Sequence, residues 1–328
     1  MRGRHYVLGK VLQALLTLFL VLVLNFFLFR VLPADPVTLF TRTTGSQLTA
    51  AQQQAIRRDF GLDKPVFPGQ FLAYMSDTVH LNLGKSLLTY PGDSVASVFL
   101  HNLGPTLLMV GTSTIGSMIF GVLMGIYGGW NRGRFWDTNF MASSLILYAM
   151  PEYVLGILLL LLFSSTIHLF PTGGFQSVTG QFSAVGRVAD VLNHMFLPWM
   201  TLMLAYLGEF YLIMRSSLLD VMGEEYITLA RAKGVREKWV LRRHAVRNAL
   251  LPTVTLIALS FGFVIGGAIT VELVFSYPGV GYLTYEALRN KDFPLLQGSF
   301  LFFSAAVIFA NLIADLLYGY LDPRVRAA

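Results

Sequence analysis

Acidic side chains that stand inside or at the ends of long apolar stretches are the clearest candidates for chemistry in this sequence. They are Glu152, Glu209, Glu272 and Asp315. Moving a charge from water into lipid costs free energy, so such residues usually face the protein interior or a water-filled path. Two interpretations stay open, namely pairing with a polar partner inside the fold and a place along the path of a transported solute. A proton-coupled secondary carrier would need such an acid.

A tripeptide that resembles part of a nucleotide-binding motif occurs at Gly84-Lys85-Ser86. A P-loop needs a glycine five residues before its second glycine, and that position holds Val79. The chain has no cysteine, and no two of its six histidines stand at metal-ligand spacing. It also lacks the Gly-x-Ser-x-Gly elbow of a hydrolase. We therefore expect no nucleotide, metal or catalytic site here, and any ATP hydrolysis would belong to a partner.

The segment from 215 to 247 is the most strongly charged part of the chain, with eight Lys or Arg residues. Its helix-forming residues, interrupted by Gly223 and Gly234, predict two or three short amphipathic helices. It also contains an apolar strip, formed by Tyr226, Ile227, Leu229 and Ala230. Helical spacing predicts that Tyr226 and Ala230 share one side. Such a strip must be covered, and both the lipid surface and a partner protein are open as the cover.

Six stretches of the chain are apolar and nearly free of charge, and each is long enough for a membrane helix of about 20 residues. They span residues 11–29, 94–131, 138–169, 191–214, 248–271 and 293–314. The third needs a tilt or a kink, and Pro151 lies where a kink can form. On the second, small residues recur every four positions and predict close packing with another helix. These are Ser113, Ser117, Gly121, Gly125 and Gly129.

The composition agrees with a polytopic membrane protein. Charged residues make up 13% and hydrophobic residues 55% of the chain, whereas soluble domains carry about 25% charged residues. These values exclude a disordered chain, a collagen-like repeat and a disulfide-rich domain. The net charge of +6 does not indicate a nucleic-acid partner, because the placement of the positive charges matters more than their sum.

The distribution of Lys and Arg predicts the orientation. With the N-terminus inside, the inner segments contain 15 of the 24 basic residues and the outer segments contain 9. Both termini are therefore predicted to be cytoplasmic. The predicted division is a cytoplasmic N-terminus with the first helix (1–30), an extracytoplasmic cap (31–100), a five-helix core that includes 215–247 (101–319), and a cytoplasmic C-terminus (320–328). In the cap, Thr49 and Gln52 predict a capped helix over 50–60, with a second helix over 66–75.

Two runs of residues in the charged segment resemble a known family. They are Glu225-Tyr226-Ile227-Thr228-Leu229-Ala230-Arg231-Ala232-Lys233-Gly234-Val235 and Arg243-His244-Ala245-Val246-Arg247-Asn248-Ala249-Leu250-Leu251-Pro252. Together they resemble the cytoplasmic coupling loop of bacterial ABC importer permeases of the oligopeptide/dipeptide/nickel branch. The long cap after the first helix is similar to that of the first, B-type permease of the pair. Weaker matches include Glu272, Phe275-Ser276, Pro278-Gly279 and Gly281.

The resemblance implies an all-α, type I ABC importer permease fold with six transmembrane helices and a small cap, in the lipid of the bacterial cytoplasmic (inner) membrane. In that family a second homologous permease completes the pore, two ABC ATPase subunits bind ATP and Mg²⁺, and an extracytoplasmic substrate-binding protein delivers the cargo. We expect peptides as the cargo, and nickel or another small solute stays an alternative. No cofactor of its own and no nucleic acid are expected.

The resemblance also implies roles for individual residues. Expected at the ATPase-coupling loop are Tyr226, Ala230, Arg231, Ala232, Lys233, Gly234, Arg243, His244, Arg247 and Asn248. Candidates for the translocation path or gate are Glu152, Glu209, Glu272, Pro278, Gly279 and Gly281. Arg57 and Arg58 in the cap are expected to contact the binding protein, and a cap that only shields the pore is an equal alternative.

Overall fold

The structure is a computed structural model that describes residues 2–31, 49–51, 53–54, 64–177, 183–266 and 268–321. Within these ranges the regular elements are helices, apart from one isolated β-bridge between Lys85 and Ser94. The prediction of an all-α chain is therefore confirmed. Arg57 and Arg58, most of the predicted helix over 50–60, and the C-terminus after residue 321 lie outside the described residues.

The helices of six or more residues in the described ranges are α1 (Arg2–Phe26), α2 (Phe71–Val79), α3 (Val95–Trp130), α4 (Phe135–Ala149), α5 (Glu152–Leu159), α6 (Ala184–Met222), α7 (Glu225–Ala232), α8 (Val246–Gly266), α9 (Ile269–Val274), α10 (Val280–Asn290) and α11 (Phe293–Leu321). Wider π-helical turns follow α1 (Phe27–Val31) and α5 (Leu160–Thr166), and others precede α2 (Val66–Gln70) and α8 (Val240–Ala245).

Four helices among the described residues are long and apolar enough to cross a membrane. They span His5–Phe29, Val95–Trp130, Ala184–Met222 and Phe293–Leu316. The bent pair of Phe135–Ala149 and Glu152–Thr166 is a fifth if it counts as one span. The helix α8 occupies the fifth predicted stretch with 21 residues. The count of six transmembrane helices stays a prediction.

The bend between α4 and α5 measures 106°, which is far sharper than the tilt or kink predicted for 138–169. Proline disfavours the helical conformation of the residue before it, and Met150 is accordingly extended at φ −84° and ψ 127°. The predicted position of the break at Pro151 is confirmed. Its angle depends on packing, because Leu155 and Leu159 of α5 are buried in one cluster with Ala205 of α6.

Two helices do not end where the charge-free stretches of the sequence predicted. The 248–271 stretch is not one helix, because α8 ends at Gly266 and α9 starts at Ile269. The pair Gly266-Gly267 stands at this break, and glycine is the poorest helix former after proline. In contrast, α6 continues past the predicted end at 214 to Met222. Arg215 fits inside this helix because a carboxylate of α4 neutralises it, as described below.

The small-residue stripe of α3 packs against α6, which confirms that prediction. A Cβ atom on Gly121 would lie 2.7 Å from the Cβ of Phe210, and one on Gly125 would lie 2.8 Å from the Cβ of Met214. The Ser117 hydroxyl donates a hydrogen bond to the Met203 carbonyl at 2.7 Å. The backbones of the two longest helices are therefore in direct contact, and no larger side chain fits at the two glycines.

The tripeptide Gly84-Lys85-Ser86 leads into a turn that closes around the carboxylate of Asp292. The Ser86 hydroxyl donates to Asp292 Oδ2 at 2.6 Å. The backbone N–H groups of Leu87, Leu88 and Thr89 donate to the same oxygen at 3.1, 3.0 and 3.0 Å. Both Ser86 and Asp292 are buried. This turn therefore fastens the segment before α3 to the junction of α10 and α11.

Candidate functional site

The charged segment folds into a compact feature that we call the α7 platform. It consists of α7, the turn through Gly234, and the short helix Glu237–Trp239, which runs through Val240–Ala245 into α8. Gly234 has φ +75°, a left-handed conformation that glycine adopts without steric cost, and the site of its missing Cβ is open space. The predicted interruption of the helices at Gly234 is therefore confirmed, and its left-handed backbone conformation explains why glycine is found there.

The inner face of the platform is apolar and packed against the chain itself. Ile227 and Ala230 are buried in one cluster with Met214 and Leu218 of α6 and Ala249 of α8. Residues three positions apart lie on the same face of a helix, so these two side chains anchor α7 together. Ala230 holds the platform in place from within. The predicted apolar strip is therefore divided, because Ile227 and Ala230 are buried whereas Tyr226 and Leu229 are exposed.

The outer face of the platform leaves large apolar side chains in contact with solvent. Leu229 is 56% exposed, Trp239 55% and Tyr226 39%. Around them Arg231, Ala232, Lys233, Arg243 and Arg247 are also exposed. The guanidinium of Arg243 lies 6.0 Å from the centre of the Trp239 ring, within reach of a cation–π interaction. The result is an apolar surface with a basic surround.

Polar ties hold this surface in a fixed position. The Asn248 amide donates to the Tyr226 hydroxyl oxygen at 2.9 Å and to the His244 carbonyl at 3.0 Å. Arg231 forms an ion pair with Glu237 across the Gly234 turn at 3.0 Å. These contacts bring most of the expected coupling residues together in one unit, on which Lys233, Ala232 and Arg247 point outward.

A buried ion pair beneath the platform was not identified from the sequence. Arg215 of α6 donates through Nε and a terminal nitrogen to the two carboxylate oxygens of Asp137 in α4, at 2.6 and 2.8 Å. Tyr211 also donates to Asp137, and so does the N–H of Gly133. Asp137 stands just before an apolar stretch, so its partner could be recognised only in three dimensions. The pair joins α4 to the helix on which the platform rests.

The gate candidates around Glu272 meet in a second compact site, which we call the Glu272 junction. Glu272 is fully buried and accepts hydrogen bonds from the Thr106 hydroxyl (2.8 Å) and from the N–H of Tyr282 (2.9 Å). Thr106 in turn accepts from the N–H of Val280 at 2.9 Å. Glu272 therefore fits the first interpretation of the acids in apolar stretches, which is pairing with polar partners inside the fold.

Glycine is required sterically at this junction. A Cβ on Gly279 would collide with the Thr106 hydroxyl and with the Glu272 carboxylate. A Cβ on Gly281 would lie 2.7 Å from the Cα of Ile269. Pro278 is half-buried in the turn between α9 and α10. The Pro278-Gly279-x-Gly281 run therefore lets α10 approach the buried carboxylate closely.

The other two candidate acids lie in an open setting. Glu152 and Glu209 both line a cavity of about 480 Å³ at the α4–α5 bend, together with Tyr148, Tyr206 and Thr270. This cavity could admit a polar solute, unlike the Glu272 junction. Among the described residues, no group of three or more His, Cys, Asp or Glu side chains could hold a metal ion.

Comparison with known proteins places this geometry in a family. The model of the family described as "Binding-protein-dependent transport system inner membrane component" matches residues 117–327, and the model of its N-terminal part matches residues 4–90. A Brucella suis protein named as a peptide permease is 35% identical over 322 residues, covering 98% of this chain and 99% of that protein. The glutathione transport system permease protein GsiC of Escherichia coli K12 is 36% identical over 324 residues, again covering 98% and 99%.

The model that matches residues 117–327 and both relatives cover the α7 platform and Glu272, which confirms the resemblance drawn from the coupling-loop residues. The chain therefore belongs to the family of binding-protein-dependent transport system inner membrane components, and it is a permease subunit of an ABC importer.

Proposed function

We propose that this chain is one of two homologous permease subunits of a peptide importer with two ABC ATPase subunits, and that one of these ATPase subunits docks on its α7 platform. The observation that carries the proposal is the exposed apolar surface of Tyr226, Leu229 and Trp239, mounted rigidly on α6 and α8. Exposed apolar surface of this kind marks a contact with protein or lipid, and we take a protein as the cover because the chain is a permease subunit of an ABC importer. ATP and Mg²⁺ would be bound by the ATPase subunits.

The test is co-purification of the ATPase subunits with a platform variant. Leu229→Asp places a charge in the apolar surface without touching the buried face, so it should abolish co-purification and substrate uptake. The matched control is Val79→Asp, which makes the same kind of change at an aliphatic side chain of α2 that is 76% exposed. It should leave ATPase binding unchanged. Normal ATPase binding by Leu229→Asp would contradict docking at this surface.

The proposal includes six membrane crossings, with both termini in the cytoplasm and the cap outside. The excess of Lys and Arg on the inner side supports this orientation. In this cysteine-free chain, single cysteines at Val79 and Lys238, both exposed, should label from opposite sides of the membrane. An impermeant thiol reagent should reach Val79→Cys in intact cells and Lys238→Cys only after permeabilisation. Labelling of both from the same side would overturn the topology.

The cavity with Glu152 and Glu209 is our proposal for part of the translocation path, with the Glu272 junction as part of the gate. The family assignment sets aside the proton-coupled carrier. Uptake should therefore stop on ATP depletion and persist when the proton gradient is collapsed. Glu152→Gln and Glu209→Gln should slow uptake if both side chains line the path, and unchanged uptake by both variants would remove this cavity from it.

The cargo is proposed from the relatives, which are named for peptide and glutathione transport. Competition between labelled peptides and Ni²⁺ for the cognate binding protein would decide between peptide and nickel transport. Arg57 and Arg58 are proposed as contacts of that binding protein. Exchanging both for Glu should reduce the ATPase stimulation by the binding protein and leave assembly intact. Unchanged stimulation would favour a cap that only shields the pore.

A further inference from the structure

The surface of the α7 platform carries an excess of positive charge. Between residues 224 and 247, seven exposed side chains are basic and three are acidic. One of the basic side chains, Arg231, is ion-paired with Glu237. The other six have no ion-pair partner among the described residues, and they are Lys233, Arg236, Lys238, Arg242, Arg243 and Arg247. These six cations are therefore open to another molecule.

The charges of the platform are separated along the chain. Glu224 and Glu225 stand at the N-terminal end of α7, where the helix dipole favours negative charge, and the basic side chains begin at Arg231 in its last turn. The eight residues of α7 span about 12 Å, and salt screens charges over about 8 Å, so the two ends act separately. An anionic lipid surface would attract one end and repel the other. A protein can present a charge pattern that matches both ends.

Arg243 is placed where it can bind a carboxylate of such a partner. Its guanidinium lies 6.0 Å from the centre of the Trp239 ring, and both side chains are exposed. The five N–H donors of a guanidinium form a planar fork that fits the two oxygens of a carboxylate. Within the described part of the chain, the Arg243 guanidinium has no hydrogen-bond acceptor. Tryptophan and arginine are also enriched among the residues that dominate binding energy at protein interfaces.

We propose that the ATPase subunit receives the α7 platform on an acidic surface, with one carboxylate bound to Arg243 beside the Trp239 ring. This inference rests on the docking proposed above and adds the chemistry of the partner surface. Leu229 supplies apolar contact area, whereas the charges speed association and set the orientation of the two proteins. The acids at the start of α7 then lie away from the carboxylates of the partner.

The test measures the binding of the ATPase subunits to the permease pair in phosphatidylcholine nanodiscs, whose lipid has no net charge. Binding to the unaltered chain should weaken as the KCl concentration is raised. Arg243→Glu should lower the affinity about tenfold. Arg243→Lys keeps the charge but loses the planar fork, so it should lower the affinity about threefold. Arg187→Glu is the control, because it makes the same charge change at an exposed residue near the other end of α6 and should bind normally.

A charge exchange tests for the partner carboxylate. Each exposed Asp or Glu of the ATPase subunit is changed in turn to Arg and combined with Arg243→Glu. One such pair should recover binding, which would not occur if Arg243 only stabilised its own chain. Failure of every pair to recover binding would overturn the proposal, as would wild-type affinity of Arg243→Glu or binding that does not depend on KCl. Loss of bound phosphatidylglycerol from Arg243→Glu, with unchanged ATPase binding, would assign the cations to lipid and also overturn it.

The outcomes separate this inference from the docking on which it rests. Normal ATPase binding by Leu229→Asp would contradict docking itself. If Leu229→Asp abolishes binding whereas Arg243→Glu leaves it unchanged, docking stands and only the acidic partner surface is wrong. Arg243→Glu should keep the unfolding midpoint of the unaltered chain, because the Arg243 side chain is exposed.

Discussion

The Glu272 junction and the α7 platform both stood out in the sequence, yet they are built in opposite ways. At the junction, the buried carboxylate meets Thr106 and the N–H of Tyr282, all within the chain. On the platform, Ile227 is buried whereas Leu229 and Trp239 keep more than half of their surface exposed. A buried charge with internal hydrogen bonds stabilises a shape, whereas rigidly held apolar surface in solvent indicates a contact with another molecule.

The same contrast separates the acids of the apolar stretches. Glu272 is enclosed by the junction, whereas Glu152 and Glu209 border an open cavity and Asp315 forms an ion pair with Lys10 at the protein surface. An acid that borders an open cavity can exchange partners with a solute, whereas an enclosed one can do so only if the helices around it separate. The acids therefore differ in what they can bind, although their sequence surroundings are similar.

The largest loss of stability is expected for Arg215→Met, beneath the platform. This change leaves Asp137 buried without its counter-ion, which typically costs about 3–5 kcal/mol. Thermal unfolding of the purified chain in detergent should show a clear drop in the midpoint. The double variant Asp137→Asn with Arg215→Met removes both charges and should recover part of the loss. No difference between the single and double variants would show that the pair does not stabilise the fold.

Gly279→Ala is expected to have the next largest effect, because its new Cβ would meet Thr106 and Glu272 in the closed junction. Overpacking of this kind typically costs about 1–3 kcal/mol. Gly104→Ala is the matched control, since nothing lies within 4 Å of where its Cβ would be. The control should be neutral or slightly stabilising in the same unfolding measurement. Equal midpoints for the two variants would mean that the junction is not tightly closed.

Tyr226→Phe should have a smaller effect, because it removes the hydroxyl that accepts from Asn248 but keeps the ring. A single hydrogen bond typically contributes about 0.5–1.5 kcal/mol, and partial exposure of Tyr226 favours the lower end. Tyr127→Phe, at a similarly exposed tyrosine of α3, is the control. Hydrogen exchange of α7 should increase in the first variant and not in the second. Identical hydrogen exchange of α7 in both variants would show that the hydrogen bond from Asn248 to Tyr226 does not stabilise the platform.

Leu229→Asp should change stability least, by no more than about 0.5 kcal/mol, because its side chain makes little contact with the rest of the chain. It should nevertheless abolish co-purification of the ATPase subunits, as proposed above. Thermal unfolding and co-purification measured on the same preparation provide the check. A strongly lowered unfolding midpoint would remove the distinction between the platform and the junction, since Leu229 would then be part of the folded interior.

Several features could be predicted from the residues alone, namely the helical class, the membrane character, the turn at Gly234, the close packing at Gly121 and Gly125, and the family. These features depend on local properties, since apolar length, glycine spacing and backbone preference are written in neighbouring residues. Even the coupling-loop resemblance rests on a short run of residues. The position of the break at Pro151 could be predicted for the same reason.

Which polar groups meet became clear only in the folded chain. Thr106 and Glu272 lie 166 positions apart, Asp137 and Arg215 are 78 apart, and Ser86 and Asp292 are 206 apart. Whether Ala230 faces inward depends likewise on α6 and α8, and the 106° bend depends on the packing of α5. Burial and hydrogen bonding depend on pairs of residues from distant segments. They therefore cannot be predicted from the residues next to each other in the sequence.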